Sequence, residues 1–227
     1  VNRFEPLLVS STLAPPVSRP AWRVTRRLPG DALQEIFALR REVYFNEQGL
    51  AQDHDTRVSD LLDSAATHVC VSRDQDLAGA LRMTDLSQAG VLETWGISLA
   101  LDRFSEAFGP EAISVGSRLV VLLEQRRRDV LDRLMAEAYK RCLERGTRFG
   151  LISCVPSLGP LFEHYGFREY LPPLVQSNGE ALLRMAMVCE DADHFDACGS
   201  NLLGLVRNAA VGREARAWLE QTFPVLH

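Results

Sequence analysis

A chain of 227 residues with 25 basic and 30 acidic side chains carries a formal net charge of −5, long enough to bury a full core without disulfides or metals and too acidic for general nucleic-acid binding, which needs a basic domain. Its five cysteines, Cys70, Cys142, Cys154, Cys189 and Cys198, are scattered without a C-x-x-C pair or a Cys/His ligand spacing, so we expect reduced thiols, no metal site and a cytoplasmic protein. No apolar stretch approaches the length of a membrane span, and the first residues lack the basic-then-apolar pattern of a secretion signal.

Residues 1–21 hold four of the eleven prolines without a sustained period, which predicts an extended arm or linker. A short strand is expected at Trp22–Arg26. Asp31 and Gln34 then have the spacing of a helix cap and its partner, and Leu33, Ile36, Phe37, Val43 and Tyr44 recur at helical spacing, predicting a helix over 31–46. Residues 47–66 are acidic and irregular, with Glu47, Asp53, Asp55, Asp60 and Asp63. THVCVS at 67–72 and LAGALRMT at 77–84, joined by the polar RDQD, read as a β-hairpin.

Weak helical periodicity follows at 98–108, and ISVGSRLVV at 113–121 is a strand. Residues 127–145 place Val130, Leu134, Met135, Ala138, Cys142 and Leu143 on one helical face, with Gly146 at the C-cap position. FGLISC at 149–154 is a buried strand, SLGPLFEHYG a short helix, FREYL a strand, ALLRMAMVC at 181–189 the last strand, and 191–222 two further helices. The order predicts a mixed α/β sandwich instead of a regularly alternating doubly wound fold.

The strand at 113–121 runs into the next helix through LVVLLEQRRRDVLDRL. Such junctions hold phosphates because the first turn of a helix leaves backbone N–H groups free. Glycine usually permits that close approach, and here Arg126, Arg127, Arg128 and Asp129 stand in its place. Either the arginines bind a phosphate through their side chains or the junction is a solvated helix start that binds nothing.

SRLVV (117–121), the helix after it and PSLGPLFEHYGFREY (156–170) with Gly166-Phe167 resemble the GNAT acyltransferase superfamily over roughly residues 22–189. Within it, ALRREVYFNEQG (38–49), the acidic loop, THVCVS and GALRMTD (79–85) are similar to the acyl-homoserine-lactone synthases, the long-chain N-acyl amino acid synthases and the ornithine N-acyltransferases. That branch carries an Arg four residues before a Phe, a pair of loop acids, an Arg ending the second hairpin strand and an Arg in the central strand. Arg41, Phe45, Asp53 or Asp55, Arg82 and Arg118 occupy those places. Four features depart from the pattern: Val115 stands where lactone synthases have a glutamate, no tryptophan follows Phe45, no R-x-x-G-x-G/A loop is present, and Phe162 stands where many GNAT enzymes have the tyrosine acid.

The resemblance implies a GNAT-like, mostly antiparallel sheet flanked by helices over 22–189, with residues 190–227 as a C-terminal helical extension. It also implies acyl transfer from a thioester to an amine, with no tightly bound cofactor. Acyl-phosphopantetheine, on acyl carrier protein or coenzyme A, would be the donor, and a small-molecule amine such as an amino acid the acceptor. A bulge in the central strand would free a backbone N–H for the thioester carbonyl at Leu119–Val121, with Leu119 and Val120 at the reacting centre and Val121 beside the pantetheine. Arg126, Arg127 and Arg128 would meet a carrier protein's single phosphate and acidic surface. Glu47, Asp53 and Asp55 are candidate proton acceptors. Arg41, Phe45, Arg82 and Arg118 would bind the acceptor, or the arginines would hold the acidic loop by ion pairs, since a buried arginine requires a partner. Cys154 offers a covalent alternative. A lactone synthase using S-adenosylmethionine and a non-catalytic thioester-binding protein remain the other readings.

Overall fold

The computed structural model describes residues 21–49 and 58–224. The expected arm, apart from Ala21, and the candidates Asp53 and Asp55 lie outside the described residues. Seven strands, β1 (Trp22–Arg27), β2 (Thr67–Arg73), β3 (Asp76–Asp85), β4 (Ile113–Val121), β5 (Phe149–Cys154), β6 (Phe167–Val175) and β7 (Ala181–Val188), form one sheet in the order β1-β2-β3-β4-β5-β7-β6. Every neighbouring pair is antiparallel except β4 and β5, which are parallel. The expected mixed, mostly antiparallel sheet with flanking helices is therefore observed.

Alternation along the strands divides the apolar residues between two faces. On one face, Val69, Val71, Leu81 and Met83 pack beneath α4 (Arg128–Arg145), whose Val130, Leu134, Met135 and Ala138 form the buried stripe expected from their spacing. Gly146 ends α4 at φ 70°, the left-handed conformation that glycine adopts without penalty. The short α5 (Gly159–His164) and α6 (Ala192–Ala197) complete this side, with Phe162 and Phe195 in the core.

The other face is covered in two places. Ile36, Leu39 and Val43, from α1 (Gln34–Arg41) and the turn after it, meet Cys70, Ala80 and Val120. Further along, α2 (Val91–Leu99), α3 (Leu101–Phe108) and α7 (Ala209–Thr222) cover Ile113, Val115, Phe149, Leu151, Ala186 and Val188. The C-terminal helices thus pack back onto the sheet. Asp191 fixes their start: it is fully buried, pairs with Arg168 and Arg216, and accepts the His194 amide at the N-terminus of α6.

Two local expectations are corrected. Asp31 does not cap α1: its side chain accepts the Leu28 amide at 2.7 Å, closing a turn before the helix begins at Gln34. The expected continuous helix to residue 46 changes at Glu42 into a π-helix, Glu42–Glu47, in which the Gln48 amide bonds Val43 O at 3.1 Å. The weak period at 98–108 resolves into α2 and α3, broken at Ala100, which has φ 49°.

Candidate functional site

The parallel pairing of β4 with β5 ends almost as it begins: Ile113, Ser114 and Val115 pair with Phe149, Gly150 and Leu151, and beyond them the strands part. On its other side β4 stays paired with β3, with one interruption. Ala80 faces Val120 and Arg82 faces Ser117, so Arg118 and Leu119 together oppose Leu81 in a β-bulge. Arg118 takes φ 55°, unusual for a residue other than glycine. The bulge inverts the strand's phase: Ile113 and Val115 face α3, Val120 faces α1 on that same side, and Leu119 and Val121 face α4.

The bulge region also presents an amide to the gap. The Leu122 amide bonds Ala78 O at 3.0 Å, so antiparallel alternation turns the N–H of Val121 away from β3, to the side that β5 has left. The Val121 carbonyl accepts from Arg126 Nε at 3.1 Å. Beneath the gap lies a small apolar cavity of about 40 Å³, bounded by Leu81, Met83, Gly116, Met135, Ile152, Phe162 and Met187.

Beside the bulge is a buried charge network. Arg40 is fully buried, with Nη1 on Asp63 Oδ1 at 2.9 Å and on Val58 O at 2.8 Å. Arg82, 1% exposed, meets Asp60 and lies 3.2 Å from Asp63, while its Nε donates to Ser117 Oγ at 2.9 Å. Arg118 Nη2 donates to Asp60 Oδ2 at 2.9 Å and also interacts with the Tyr44 hydroxyl. His68 Nε2 lies 3.0 Å from Asp63 Oδ1, and the Arg82 guanidinium sits 5.8 Å from the centre of the Trp95 ring.

Burial alone would raise the pKa of both aspartates, but their partners outweigh it. The hydrogen bond to His68 and the charge of Arg40, with the Asp60 amide and Arg82, hold Asp63 well below the usual carboxylate range. Hydrogen bonds from Arg82 and Arg118 hold Asp60 down as well. Desolvation dominates at Arg40 and lowers its pKa.

The sequence-derived residues divide accordingly. Arg82 and Arg118 come together on one carboxylate, Asp60, and Arg82 also lies against Asp63, the ion-pair alternative for these arginines. Arg41 is exposed on α1 and Phe45 is half-buried; Arg40 and Tyr44, with the same four-residue spacing one position earlier, are the pair turned into the network. That alternative spacing and the D-x-x-D of Asp60 and Asp63 were the available signals.

Glu47 is engaged on both oxygens: its Oε1 accepts the Leu123 amide at 2.9 Å and its Oε2 is paired with Arg126. Arg127 and Arg128 are exposed, and Arg128 contacts His164. Burial, with the charges of Glu169 and Glu163, pushes the Cys154 thiol up to about 11, which argues against a covalent route. Tyr165 donates to Asp132 at 2.8 Å and serves packing, and Phe162 is buried in the core.

This architecture is the GNAT-like acyltransferase fold, shared with the N-acyl amino acid synthases and acyl-homoserine-lactone synthases. The chain is similar to FeeM, an N-acyl amino acid synthase from uncultured soil microbes, with 16% identity, TM-score 0.60, and coverage of 82% of this chain and all of that one. It is similar to BjaI, a CoA-dependent acyl-homoserine lactone synthase solved with SAM and isopentyl-CoA, at 17% identity and TM-score 0.60 over 87% of this chain and 100% of that one. An acyl-CoA N-acyltransferase from Pseudomonas aeruginosa shares 19% identity and TM-score 0.56, covering 74% of this chain and 100% of that one. No protein-family model matches the sequence, and no curated protein matches it. Among the described residues no helix is long and apolar enough to cross a membrane.

Proposed function

We propose that the protein transfers an acyl group from a phosphopantetheine thioester to the amine of an amino acid or similar small molecule. The observation that carries this reading is the parting of β4 from β5 with the Val121 N–H turned into the gap. A thioester carbonyl placed there would receive a hydrogen bond that strengthens as its oxygen becomes an oxyanion. The amine nitrogen attacks the carbonyl carbon, the C–S bond breaks, and the leaving thiolate takes a proton while the amine loses one. Water accepts that proton, or Asp53 or Asp55 does.

The acyl chain is assigned to the apolar cavity beneath the gap. Its resting volume of about 40 Å³ accepts a chain only if its lining moves, and Met83, Met135 and Met187 supply the adaptable side chains for that. We assign the donor to acyl carrier protein, because the exposed Arg127 and Arg128 suit an acidic protein surface. A lactone synthase reading is less favoured: Val115, where such enzymes have a glutamate, is 1% exposed within an apolar core.

Thiol release from matched acyl-carrier-protein and acyl-coenzyme A donors, with and without pooled amino acids, tests the proposal, followed by product mass. Amine-dependent release with a mass gain of one acyl group is expected. A lactone product formed only with S-adenosylmethionine would replace this reading, and binding without turnover would identify a non-catalytic thioester-binding protein.

A further inference from the structure

The turn between β4 and α4 already holds an anion, and the anion is the protein's own. The Leu123 amide and the Arg126 guanidinium converge on the two oxygens of Glu47. One backbone N–H and one arginine aimed at a pair of oxygens is also the chemistry that recognises a phosphate. Arg126 is held in this position from behind by its Nε bond to the Val121 carbonyl, so its outer edge faces Glu47 at the end of the strand that borders the gap.

Nothing about the contact makes it permanent. Glu47 is 12% exposed and Arg126 40%, so the pair sits at the solvent boundary, where an ion pair is only modestly stabilising and an arriving phosphate can compete with it. The carboxylate is delivered by the last residue of the π-helix, whose extra residue per turn rotates position 47 relative to a continuous α-helix.

We propose that Glu47 is a specificity-determining residue that competes internally for the donor's phosphate. This inference rests on the acyl-thioester reading above. In the empty protein the carboxylate fills the corner formed by Leu123 N–H and Arg126, and a phosphorylated pantetheine arm must displace it, whereas an unphosphorylated arm does not use that corner. Apparent affinity for the phosphorylated donor is then lowered by the fraction of molecules in which the corner is filled. Removing the carboxylate's charge raises that affinity, the opposite of what loss of a purely structural tether would do.

The test is calorimetric binding of two non-reactive probes, the S-octyl thioethers of phosphopantetheine and of pantetheine, to the full chain and to Glu47→Gln. The expected result is a gain of about fivefold or more in affinity for the phosphorylated probe only, the occupied fraction setting the gain. Glu47→Asp, whose shorter side chain cannot reach both partners, should move the same way and decides the matter if Glu47→Gln does not fold. Unchanged or weakened binding of the phosphorylated probe to the folded variants overturns the competitor role and leaves the donor site standing. Failure of both probes to bind any of the proteins overturns the donor reading as well.

Discussion

Replacing Asp63 with asparagine should be far more damaging than its single charge suggests. The carboxylate is 3% exposed and is the acid paired with Arg40, which is fully buried; it also faces Arg82 and His68. Asparagine keeps the shape, and its amide oxygen can still accept a hydrogen bond from Arg40, but it removes the negative charge paired with that buried guanidinium. Leaving a buried charge uncompensated costs about 3–5 kcal/mol. For a chain of this size that corresponds to a fall in Tm of about 6–20 °C. Thermal unfolding followed by far-ultraviolet circular dichroism would measure it. Asp60→Asn, at a carboxylate 26% exposed, is the control and should cost less. The double variant Arg40→Met/Asp63→Leu should recover part of the loss, because it removes both charges together. The pH dependence has a definite sign. Asp63's folded pKa is depressed, so its contribution is complete above the unfolded value of about 4 and disappears as the pH falls toward the folded value. Wild-type stability should therefore fall on acidification more steeply than that of Asp63→Asn. A loss below about 1 kcal/mol for Asp63→Asn, or acid slopes that coincide, would refute this account of the network.

Cys154→Ser should retain acyl transfer to within about threefold, since a thiol pushed up to about 11 is almost wholly protonated at neutral pH; a trapped acyl-cysteine lost in this variant would restore the covalent route. Reversing the charge of Arg127 and Arg128 together should weaken use of an acyl carrier protein by about tenfold or more while leaving a simple pantetheine thioester unaffected, and equal losses in the two assays would discard the docking role. Gly166→Ala should lower stability by about 2–4 kcal/mol, because φ there is 94° and an added Cβ would lie 2.4 Å from the Phe195 ring. A melting temperature unchanged from wild type would show that α6 yields more easily than its packing implies.

The sheet was legible because its strands are apolar runs of the right length with turn residues between them. β4 and β5 lie within their predicted bounds, and α4 ends at the glycine that its sequence marked. The first half of α2 was not legible, since VLETWGISL is apolar on more than one side and Leu92 and Ile97 remain exposed. The site was harder for a different reason. The family resemblance pointed to Arg82 and Arg118, and it put the Arg-to-Phe pair on Arg41 and Phe45; a second Arg-to-aromatic frame, Arg40 and Tyr44, overlaps it in RREVYF. Only the turn into the π-helix decides which frame faces the bulge. Glu47 was a candidate base as a member of the acidic loop, and its contacts with Leu123 and Arg126, 76 and 79 residues away, were not legible because nothing local announces them.

The aromatic packing under α7 bears on how the chain is made. Phe104 stacks on Phe223 at 5.2 Å and meets Trp218 edge-on at 5.1 Å, and Trp218 also lies 5.4 Å from Phe149 at the start of β5. The rings of Phe104 and Phe149 therefore wait for side chains synthesised more than sixty residues later. At about 5–20 residues per second a ribosome takes several seconds over that interval. During it, the nascent sheet carries an unroofed aromatic surface next to the parallel pair of β4 and β5, apolar area of the kind a chaperone binds.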